Sequence, residues 1–387
     1  MDSYDIVIIG AGASGLQLAV ALGEDPYFQN HTIALLEKNG NKSNDRTWCF
    51  WEKGAGAFDN FTYRQWDTIR LAGPGLDRSE SLGDYRYKMI RAIDFYRAMD
   101  TRLEHCTNIH RIECAVEKVE EFDAEVRITT DGRILQAKKV FTSVFFDPDS
   151  AAILPYAGEG HRHPLLLQHF LGWVIRTEDA VFDPTVPTFM DFDLPQLGNT
   201  RFMYVLPFSE NEALVEYTLF SAELLKRDAY EAGLKDYLKE KMGIADYEIL
   251  EEETGCIPMT VSDFSAHNSP RIYHIGVAGG WAKPSTGYTF YRISQWVPRI
   301  VEALKANKPL PTPPKNRFWY YDRLLLDVLH RDNHMGAELF TGMFKKLSAE
   351  LIMKFLGEES NLGEEWRVIN SCPYGPFIRA LLKSMVN

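Results

Sequence analysis

The chain has 387 residues, enough for two interleaved domains, and its 45% hydrophobic and 25% charged residues are those of an ordinary globular protein. Its 42 basic and 54 acidic residues give a net charge of −12. This balance excludes general nucleic-acid binding, because phosphate contacts need clustered Lys and Arg. Five scattered cysteines without a CxxC pair favour neither a zinc site nor a disulfide framework and indicate a reducing cytoplasm. No signal peptide or apolar run of membrane-spanning length is visible, so we expect a cytoplasmic protein.

The N-terminal region predicts a β-α-β unit that binds a dinucleotide. Residues 4–9 (YDIVII) form a buried-type strand, a helical pattern follows, and a second strand at 31–36 ends in an acid. Between the first strand and the helix lies GxGxxG, whose glycines allow a tight turn, backbone approach to a pyrophosphate and helix–strand packing. The free N–H groups of the helix N-terminus favour phosphates, and the acid accepts hydrogen bonds from a ribose. The candidate residues are Gly10, Gly12, Ser14, Gly15 and Glu37.

The rest of the chain mixes strands and helices. An aromatic stretch at 44–58 is too rich in Trp, Gly and Asp for a regular helix, and a proline-rich linker at 309–314 precedes a helical C-terminal segment. Predicted strands lie at 64–72, 85–90, 140–146 and 271–277, a meander spans 111–145, antiparallel sheet fills 151–265, and helices lie at 93–103, 222–242 and near 287–306.

A second element distinguishes FAD from NAD. The strand at 271–277, the following AGG and the segment Lys283–Tyr288, which opens a helix, resemble the C-terminal flavin loop of p-hydroxybenzoate-hydroxylase-type flavoproteins. In that class a helix N-terminus points at the pyrimidine end of the flavin, so the N–H groups of Gly287 and Tyr288 would favour an anionic reduced flavin. By the same resemblance, the candidate flavin-binding residues are Arg91, Gly276, Thr286, Gly287 and Tyr288.

Two departures from that class count against an NADPH-using hydroxylase. The chain has Gly276-Val277 where the class has Gly-Asp, and it has Phe146-Asp147-Pro148-Asp149 where the class has an Asp-Gly motif.

A glutamate stands in the apolar hairpin FMYVLPFSENEALVEYTLFS at 202–221. Strand alternation puts Leu214, Glu216 and Thr218 on one face, and neither face is plainly polar. A buried carboxylate has a raised pKa and stays protonated, so Glu216 is a candidate general acid. The alternative is a glutamate at a sheet edge that faces water or an arginine.

Six motifs in order resemble the lycopene cyclase family, in its bacterial β-cyclase branch. They are NDRTWCFW (44–51), QHFLGW (168–173), MDF (190–192), FMYVLPFS with ALVEYT (202–218), ETGCIPMT (253–260) and AGGWAKPSTGYTF (278–290). The resemblance implies binding of lycopene or a related acyclic carotene, reduced FAD, NAD(P)H as the reductant of the flavin, and no net redox change. It also implies that an acid protonates the terminal double bond of a ψ end, that the resulting cation closes to a six-membered ring, and that proton loss gives a β end.

In this resemblance, Glu216 matches the catalytic acid. Aromatic faces near the reacting end could stabilise the cation by cation–π contact, and each candidate ring has core packing as its alternative. The candidates are Trp48, Phe50, Trp51, Trp173 and Tyr204.

Other polar groups are weaker candidates. Arg46 could reach the flavin or its pyrophosphate, or pair with Asp45 on a surface loop. Glu253 follows two further glutamates and is predicted to belong to a solvated acidic run. The HxH at His161 and His163 has no third ligand nearby, so we predict no metal site.

The sequence as a whole predicts an α/β fold with a Rossmann-type FAD-binding domain, a mostly antiparallel substrate domain and a helical C-terminal segment. The predicted boundaries are 1–60, 90–150 and 268–307 for the FAD-binding domain, 61–89 and 151–267 for the substrate domain, and 308–387 for the helical segment.

Because lycopene resides in the bilayer, the apolar helical faces within 336–356 and 376–386 are predicted either to contact a membrane surface or to pack in a core. An FAD-dependent monooxygenase or prenyl-lipid reductase, and a flavin-bound carotenoid carrier without catalysis, remain as alternative functions. The product's ring number, the choice of NADH or NADPH, the deprotonating base and the oligomeric state stay open.

Overall fold

The structure is a computed structural model, and it describes residues 2–146 and 163–386. The strands are β1 (Asp2–Ile9), β2 (Ile33–Glu37), β3 (Thr47–Lys53), β4 (Arg64–Trp66), β5 (Thr68–Gly73), β6 (Leu76–Ser81), β7 (Tyr85–Arg91), β8 (Ile109–Glu113), β9 (Val116–Glu121), β10 (Val126–Thr130), β11 (Ile134–Thr142), β12 (Leu166–Arg176), β13 (Thr188–Asp191), β14 (Thr200–Pro207), β15 (Glu212–Ser221), β16 (Glu248–Met259) and β17 (Ile272–His274). The α-helices are α1 (Ala13–Glu24), α2 (Ala92–Leu103), α3 (Arg227–Asp236), α4 (Phe290–Lys305), α5 (Arg317–Arg331), α6 (Gly336–Lys346), α7 (Ala349–Leu356), α8 (Leu362–Ser371) and α9 (Tyr374–Val386).

The first sheet has the order β8-β2-β1-β11-β10-β9, and β17 pairs with the C-terminal part of β11. Strands β8, β2, β1, β11 and β17 run parallel, whereas β10 and β9 form an antiparallel extension. Its central strands are apolar runs because both faces are buried: helices α1 and α4 cover one face, and Val7, Ile9 and Leu36 pack in a second core on the other. In such a sheet the carboxyl ends of the parallel strands meet at one edge, where ligands bind.

The second sheet has the order β16-β12-β15-β14-β13-β5-β6 and is antiparallel except where β13 runs beside β5. The predicted alternation of β15 is present. Leu214 and Phe220 face a core shared with the C-terminal helices, and Val215, Tyr217 and Leu219 face a core capped by α3. A third, small sheet, β3-β7-β4, contributes to the core beneath the C-terminal helices.

Several predicted element boundaries differ from the structure. The helix predicted near 287 begins at Phe290, because residues 284–286 form a turn in which the Gly287 N–H bonds to the Lys283 carbonyl at 2.8 Å. The last strand is only Ile272–His274 instead of 271–277. The helix predicted at 222–242 begins at Arg227 and ends in a π-helical turn at Tyr237–Lys241. The division into three segments stays a prediction.

The apolar face predicted over 336–356 packs in the core. Leu339, Phe340, Phe344 and Leu351 are buried against the second sheet and its neighbours. The prediction of a membrane-facing surface is therefore wrong for helices α6 and α7, and its core-packing alternative holds. Across residues 2–146 and 163–386, no helix combines the length and apolarity needed to cross a bilayer.

Candidate active site

The carboxyl edge of the first sheet brings the predicted nucleotide-binding residues together. Strand β1 ends at the glycine turn, β2 ends at Glu37, β11 leads into Ser143 and β17 leads into Gly276. An added Cβ at Gly10, whose φ is +95°, would lie 2.3 Å from Ser143 Oγ, and one at Gly276 would lie 2.6 Å from Ser14 Oγ. Only glycine fits these two close approaches, so the N-terminal turn and the C-terminal loop form one continuous surface.

The start of helix α1 is open to a ligand. Gly12 is the N-cap and makes no side-chain cap, and no heavy atom lies within 4 Å of a Cβ added there. An added Cβ at Gly15 would instead lie 1.9 Å from the Gly10 carbonyl oxygen, which explains why helix and strand pack so closely. Free N–H groups, a positive helix end and open space at Gly12 fit a pyrophosphate.

Glu37 is held as a carboxylate beside this turn. Its Oε2 accepts 2.8 Å hydrogen bonds from the Ala11 N–H and from Lys42 Nζ. Burial acts to raise the pKa of Glu37, but Lys42 and the N–H groups of Asn39 and Ala11 outweigh it and lower the pKa below its ordinary value. The residues of this edge therefore fit the dinucleotide part of FAD.

A cleft of about 570 Å³ extends from this edge to the face of the second sheet. A volume of this size is typical of a cofactor or substrate site. The predicted residues that line it are Gly12, Ser14, Glu37, Arg46, Trp48, Tyr204, Glu216, Gly276, Thr286, Gly287 and Tyr288. Gln168, which was not predicted, also lines the cleft, and its buried Oε1 has no hydrogen-bond partner, as expected for an atom that awaits a ligand donor.

A row of four residues crosses the second sheet at the cleft. Gly172 on β12 pairs with Glu253 on β16 and with Glu216 on β15, and Glu216 pairs in turn with Tyr204 on β14. A Cβ at Gly172 would lie 3.1 Å from Glu253 Cγ and 3.4 Å from Glu216 Cγ. The missing side chain at Gly172 leaves the space in which the two carboxyl groups meet and hydrogen-bond.

Both carboxyl groups are buried, with 8% of Glu216 and 7% of Glu253 exposed. Thr218 Oγ1 donates a 2.5 Å hydrogen bond to Glu216, and Thr47 Oγ1 donates a 2.9 Å hydrogen bond to Glu253. Burial first, and the neighbouring charge of Glu253 second, raise the pKa of Glu216 well above its ordinary value. Burial also raises the pKa of Glu253. The pair therefore holds at least one proton where an isolated glutamate would be ionised.

The prediction that Glu253 belongs to a solvated acidic run is wrong. Strand β16 alternates, so Glu252 faces the other side, where it binds Arg227 and Trp173, while Glu253 turns into the cleft. The alternation was visible in the sequence, but which face of β16 is buried depends on its pairing with β12. Gly172, Thr47 and Thr218 were not predicted as site residues for the same reason, because their positions beside the carboxyl pair depend on how the strands pair.

Tyrosines complete the wall beside Glu216. The hydroxyl of Tyr288 hydrogen-bonds to those of Tyr87 and Tyr204, and burial raises the pKa of all three. Trp48 stacks on Phe290 with 4.9 Å between ring centroids. The cleft at Glu216 is thus lined by neutral hydroxyls and aromatic rings rather than by ionised nucleophiles.

Four other predicted residues do not line the cleft. Arg91 is paired with Asp94 at 2.7 Å and covers the ring of Tyr63. Phe50 packs inside the first core, and Trp51 donates through Nε1 to the Met353 carbonyl. Trp173 lies on the opposite face of the second sheet from Glu216, because it follows Gly172 on β12. Phe50 and Trp173 therefore do not lie at the cleft as predicted, whereas the predicted roles of Arg91 and Trp51, which adjoin the cleft residues Thr47 and Tyr288, stay predictions.

The remaining predicted groups are the two glycines of the N-terminal turn, Arg46, and the HxH and Phe-Asp-Pro-Asp motifs. Gly10 and Gly15 support the glycine turn without lining the cleft. Arg46 lines the cleft mouth but is paired with Asp45 at 2.8 Å, which is the surface ion pair left open by the sequence. His161 and residues 147–149 of the departing motif lie outside the described residues. In the part of the chain that the structure describes, no group of His, Cys, Asp and Glu could hold a metal ion.

Solved structures share this fold. A geranylgeranyl bacteriochlorophyll reductase-like protein from Thermoplasma acidophilum is similar over 98% of this chain and 98% of its own, with a TM-score of 0.62 and 15% identity. A p-nitrophenol 4-monooxygenase from Pseudomonas putida DLL-E4 is similar over 97% of this chain and 99% of its own, with a TM-score of 0.56 and 13% identity. These likenesses confirm the predicted fold class.

Sequence comparison gives the family. The model of the family described as lycopene cyclase protein matches residues 5–382. A lycopene beta-cyclase of Pseudescherichia vulneris is 27% identical over 303 residues, which are 74% of this chain and 70% of that protein. Another, from a Paracoccus species, is 30% identical over 173 residues, which are 43% of this chain and 44% of that protein. The chain belongs to the lycopene cyclase family, a family of enzymes, which confirms the resemblance seen in its motifs.

Proposed function

We propose that this protein is a lycopene β-cyclase that binds FAD in the cleft and closes the ψ ends of lycopene, or of a related acyclic carotene, to β rings. The observation that carries the proposal is Glu216, a buried carboxyl that lines the cleft beside Glu253 and whose pKa is raised by burial and by that neighbour. Family membership and the two similar β-cyclases support the same reaction.

The residues of the cleft suit an acid-initiated cyclisation. Glu216 gives its proton to the terminal double bond of the ψ end, leaving a tertiary cation on the substrate. The neighbouring double bond attacks this cation, closes the six-membered ring, and a proton leaves the ring to form the β end. A positioned acid of raised pKa contributes about 10²–10⁴ in rate to such a step.

The surroundings of Glu216 protect the cation from capture. The tyrosine hydroxyls of Tyr87, Tyr204 and Tyr288 keep their protons because burial raises their pKa values, so no phenolate competes with the double bond. The faces of Trp48 and Tyr204 can stabilise positive charge, by about 0.5–2 kcal/mol each. Bound FAD, reduced by NAD(P)H, would supply negative charge close to the cation without any net redox change.

Glu253 completes the acid. The hydrogen bond between Glu253 and Glu216, together with the burial of Glu253, lets the two carboxyl groups share one proton. The hydroxyl of Thr47 orients Glu253 by donating a hydrogen bond to its Oε2. Two buried carboxyl groups in contact cannot both ionise readily, which keeps the Glu216 proton in place until the substrate binds. After ring closure, the pair is returned to the same state by one proton from the substrate or from water.

A second part of the proposal concerns the membrane. Large apolar side chains are exposed on α8 and α9, an arrangement expected of a surface that meets lipid or a partner. They are Leu362, Trp366, Ile369, Tyr374, Ile378, Leu381 and Leu382. Because an acyclic carotene is dissolved in the bilayer, we propose that this α8–α9 surface binds the membrane peripherally from the cytoplasm.

The test of the proposed reaction is a count of rings per flavin. The FAD-loaded protein is reduced under argon, nicotinamide is removed, and liposomes containing lycopene are added. Many β rings per flavin, with the flavin still reduced at the end, support a non-redox cyclase. One flavin oxidised per product would support a reductase, a requirement for oxygen would support a monooxygenase, and unchanged lycopene would support a carrier.

A further inference from the structure

A second cavity, of about 370 Å³, lies between the C-terminal helices and the second sheet. Helices α5, α6, α7, α8 and α9 surround it, and strands β13 and β15 form its floor. Its lining is almost wholly aliphatic and aromatic, as shown by Phe189, Phe220, Leu325, Phe340, Met343 and Phe377. A cavity of this composition offers a ligand burial of apolar surface and almost no hydrogen bonds.

Among the described residues that line the cavity, the one charged side chain, that of Asp322, is already neutralised by an ion pair. Asp322 accepts hydrogen bonds of 3.1 and 3.0 Å from Lys283 Nζ, and both side chains are buried. Lys283 also contacts Glu358 at 3.2 Å, and Arg292 pairs with Glu358 at 2.7 Å. Asp322 is therefore committed to a buried ion-pair network, and a ligand with a charged group would find no free charged partner among the lining residues that the structure describes.

The inner end of this cavity adjoins the candidate active site. Thr286 lines both cavities. Between them, Phe189 of the apolar cavity lies 6.2 Å, centroid to centroid, from Tyr204 of the cleft. The two spaces are thus separated by a wall one side chain thick, beside the row that contains Glu216.

The outer end opens on the α8–α9 surface. Ile369, Tyr374 and Ile378 line the cavity and are also 39%, 61% and 52% exposed. The same residues belong to the apolar surface proposed to meet the membrane. The cavity therefore runs from that surface to the wall of the cleft.

We propose that this cavity binds the apolar polyene chain of the substrate while its end group reacts at Glu216. The inference rests on the proposed function, because a linear carotene reacts only at its end. The rest of the hydrocarbon must leave the cleft along an apolar path, and the cleft also has to hold the cofactor. The α5–α9 cavity adjoins the reacting end, reaches the surface and has the matching chemistry, and displacement of the side chains of Thr286 and Phe189 would join it to the cleft.

Binding is tested with the FAD-loaded full chain and diphenylhexatriene, a linear apolar polyene that fluoresces when buried. Leu325→Trp places a larger ring in the cavity lining, and Ile369→Trp narrows its mouth at a position that is 39% exposed and can accept a larger ring. Leu362→Trp adds the same ring on α8, 71% exposed and outside the cavity, and serves as the control. Flavin content and circular dichroism establish that each variant is folded.

The wild type and the control should bind the probe saturably, and both cavity variants should raise its Kd by about tenfold or more. Equal binding by all four proteins would overturn the proposal. Because this readout requires no catalysis, it survives if the cyclase function fails, and the two ideas can be rejected separately.

A second readout uses the reaction itself. The two cavity variants should lower kcat/KM for lycopene by about tenfold or more, and leave it unchanged for a short acyclic polyene with the same ψ end. A short substrate affected as strongly as lycopene would place the defect in the cleft and overturn the proposal.

Discussion

The carboxyl pair makes a specific prediction about pH. In Glu253→Gln, the charge that helps to raise the pKa of Glu216 is removed, and the new amide can donate a hydrogen bond to the ionised form of Glu216. Both effects lower the pKa of Glu216, although its burial remains. The alkaline limb of the cyclisation rate should therefore move to lower pH, with activity retained on the acid side of that limb.

The size of the effect separates the two glutamates. Glu216→Gln removes the proton donor itself, so the rate should fall by about 10²–10⁴ at every pH, which corresponds to about 3–5 kcal/mol in the barrier. Glu253→Gln leaves the donor in place and removes only its partner, so its loss should be small at acid pH and grow as Glu216 ionises. Each pKa unit of displacement corresponds to about 1.4 kcal/mol of interaction between the two groups.

The assay is the initial rate of ring formation across pH with prereduced enzyme and lycopene in liposomes. Glu252→Gln is the matched control, because Glu252 neighbours Glu253 on β16 but faces Trp173 and Arg227 on the other side of the sheet. Its profile should match the wild type. A Glu253→Gln profile that superposes on the wild-type curve would refute the coupling, and a Glu216→Gln variant with near-normal rates would refute the assignment of the acid.

Three further predictions concern stability, cofactor and membrane. The folded pKa of Glu216 is raised above 4.5, so above about that pH the folded chain holds a proton that the unfolded chain releases, and stability falls as pH rises. Glu216→Gln should therefore raise Tm at neutral pH by about 2 °C or more and match the wild-type Tm in acid. A Tm difference between variant and wild type that does not change with pH would contradict this. Gly12→Ala should fold normally but lose FAD absorbance, because its added methyl group occupies the space of the pyrophosphate. Gly15→Ala should lose FAD absorbance and also about 1–3 kcal/mol of stability. A Gly12→Ala protein that still binds a full complement of flavin would exclude a pyrophosphate site at Gly12. The double variant Trp366→Ser and Ile378→Ser should reduce cosedimentation with liposomes by about tenfold, and undiminished pelleting would reject the α8–α9 surface as the membrane contact.

Short-range sequence patterns predicted much of the fold and one member of the carboxyl pair, Glu216. The β-α-β opening follows from an apolar strand, a glycine turn and a terminal acid, and the inward face of Glu216 follows from period-two alternation in a hairpin. Glu253 could not be placed in this way, because three successive glutamates look solvated until Gly172 is seen between β15 and β16.

Faces that depend on distant packing were harder to predict. The sequence does not distinguish Trp173 from Trp48, which lines the cleft. Trp173 lies on the other face of the second sheet because α3 packs on that face and the C-terminal helices pack on the opposite one. Likewise, an apolar helical stripe suits a core and a membrane equally well, so sequence left both open for 336–356. The exposed apolar residues of α8 were not predicted as a membrane contact because they do not form a long apolar stripe in the sequence. Trp366 is the single large aromatic residue of this helix that could have indicated one.

The central claim is that a protein acid starts the cyclisation and that no hydride is transferred. It is tested most directly by running the reaction in D2O with prereduced flavin, and measuring the carotene product by mass spectrometry. The account predicts one solvent deuterium per ring closed, retained on the ring carbon that Glu216 protonates, with the product otherwise an isomer of lycopene. A ring without solvent deuterium, or a product that has gained two hydrogens, would contradict it.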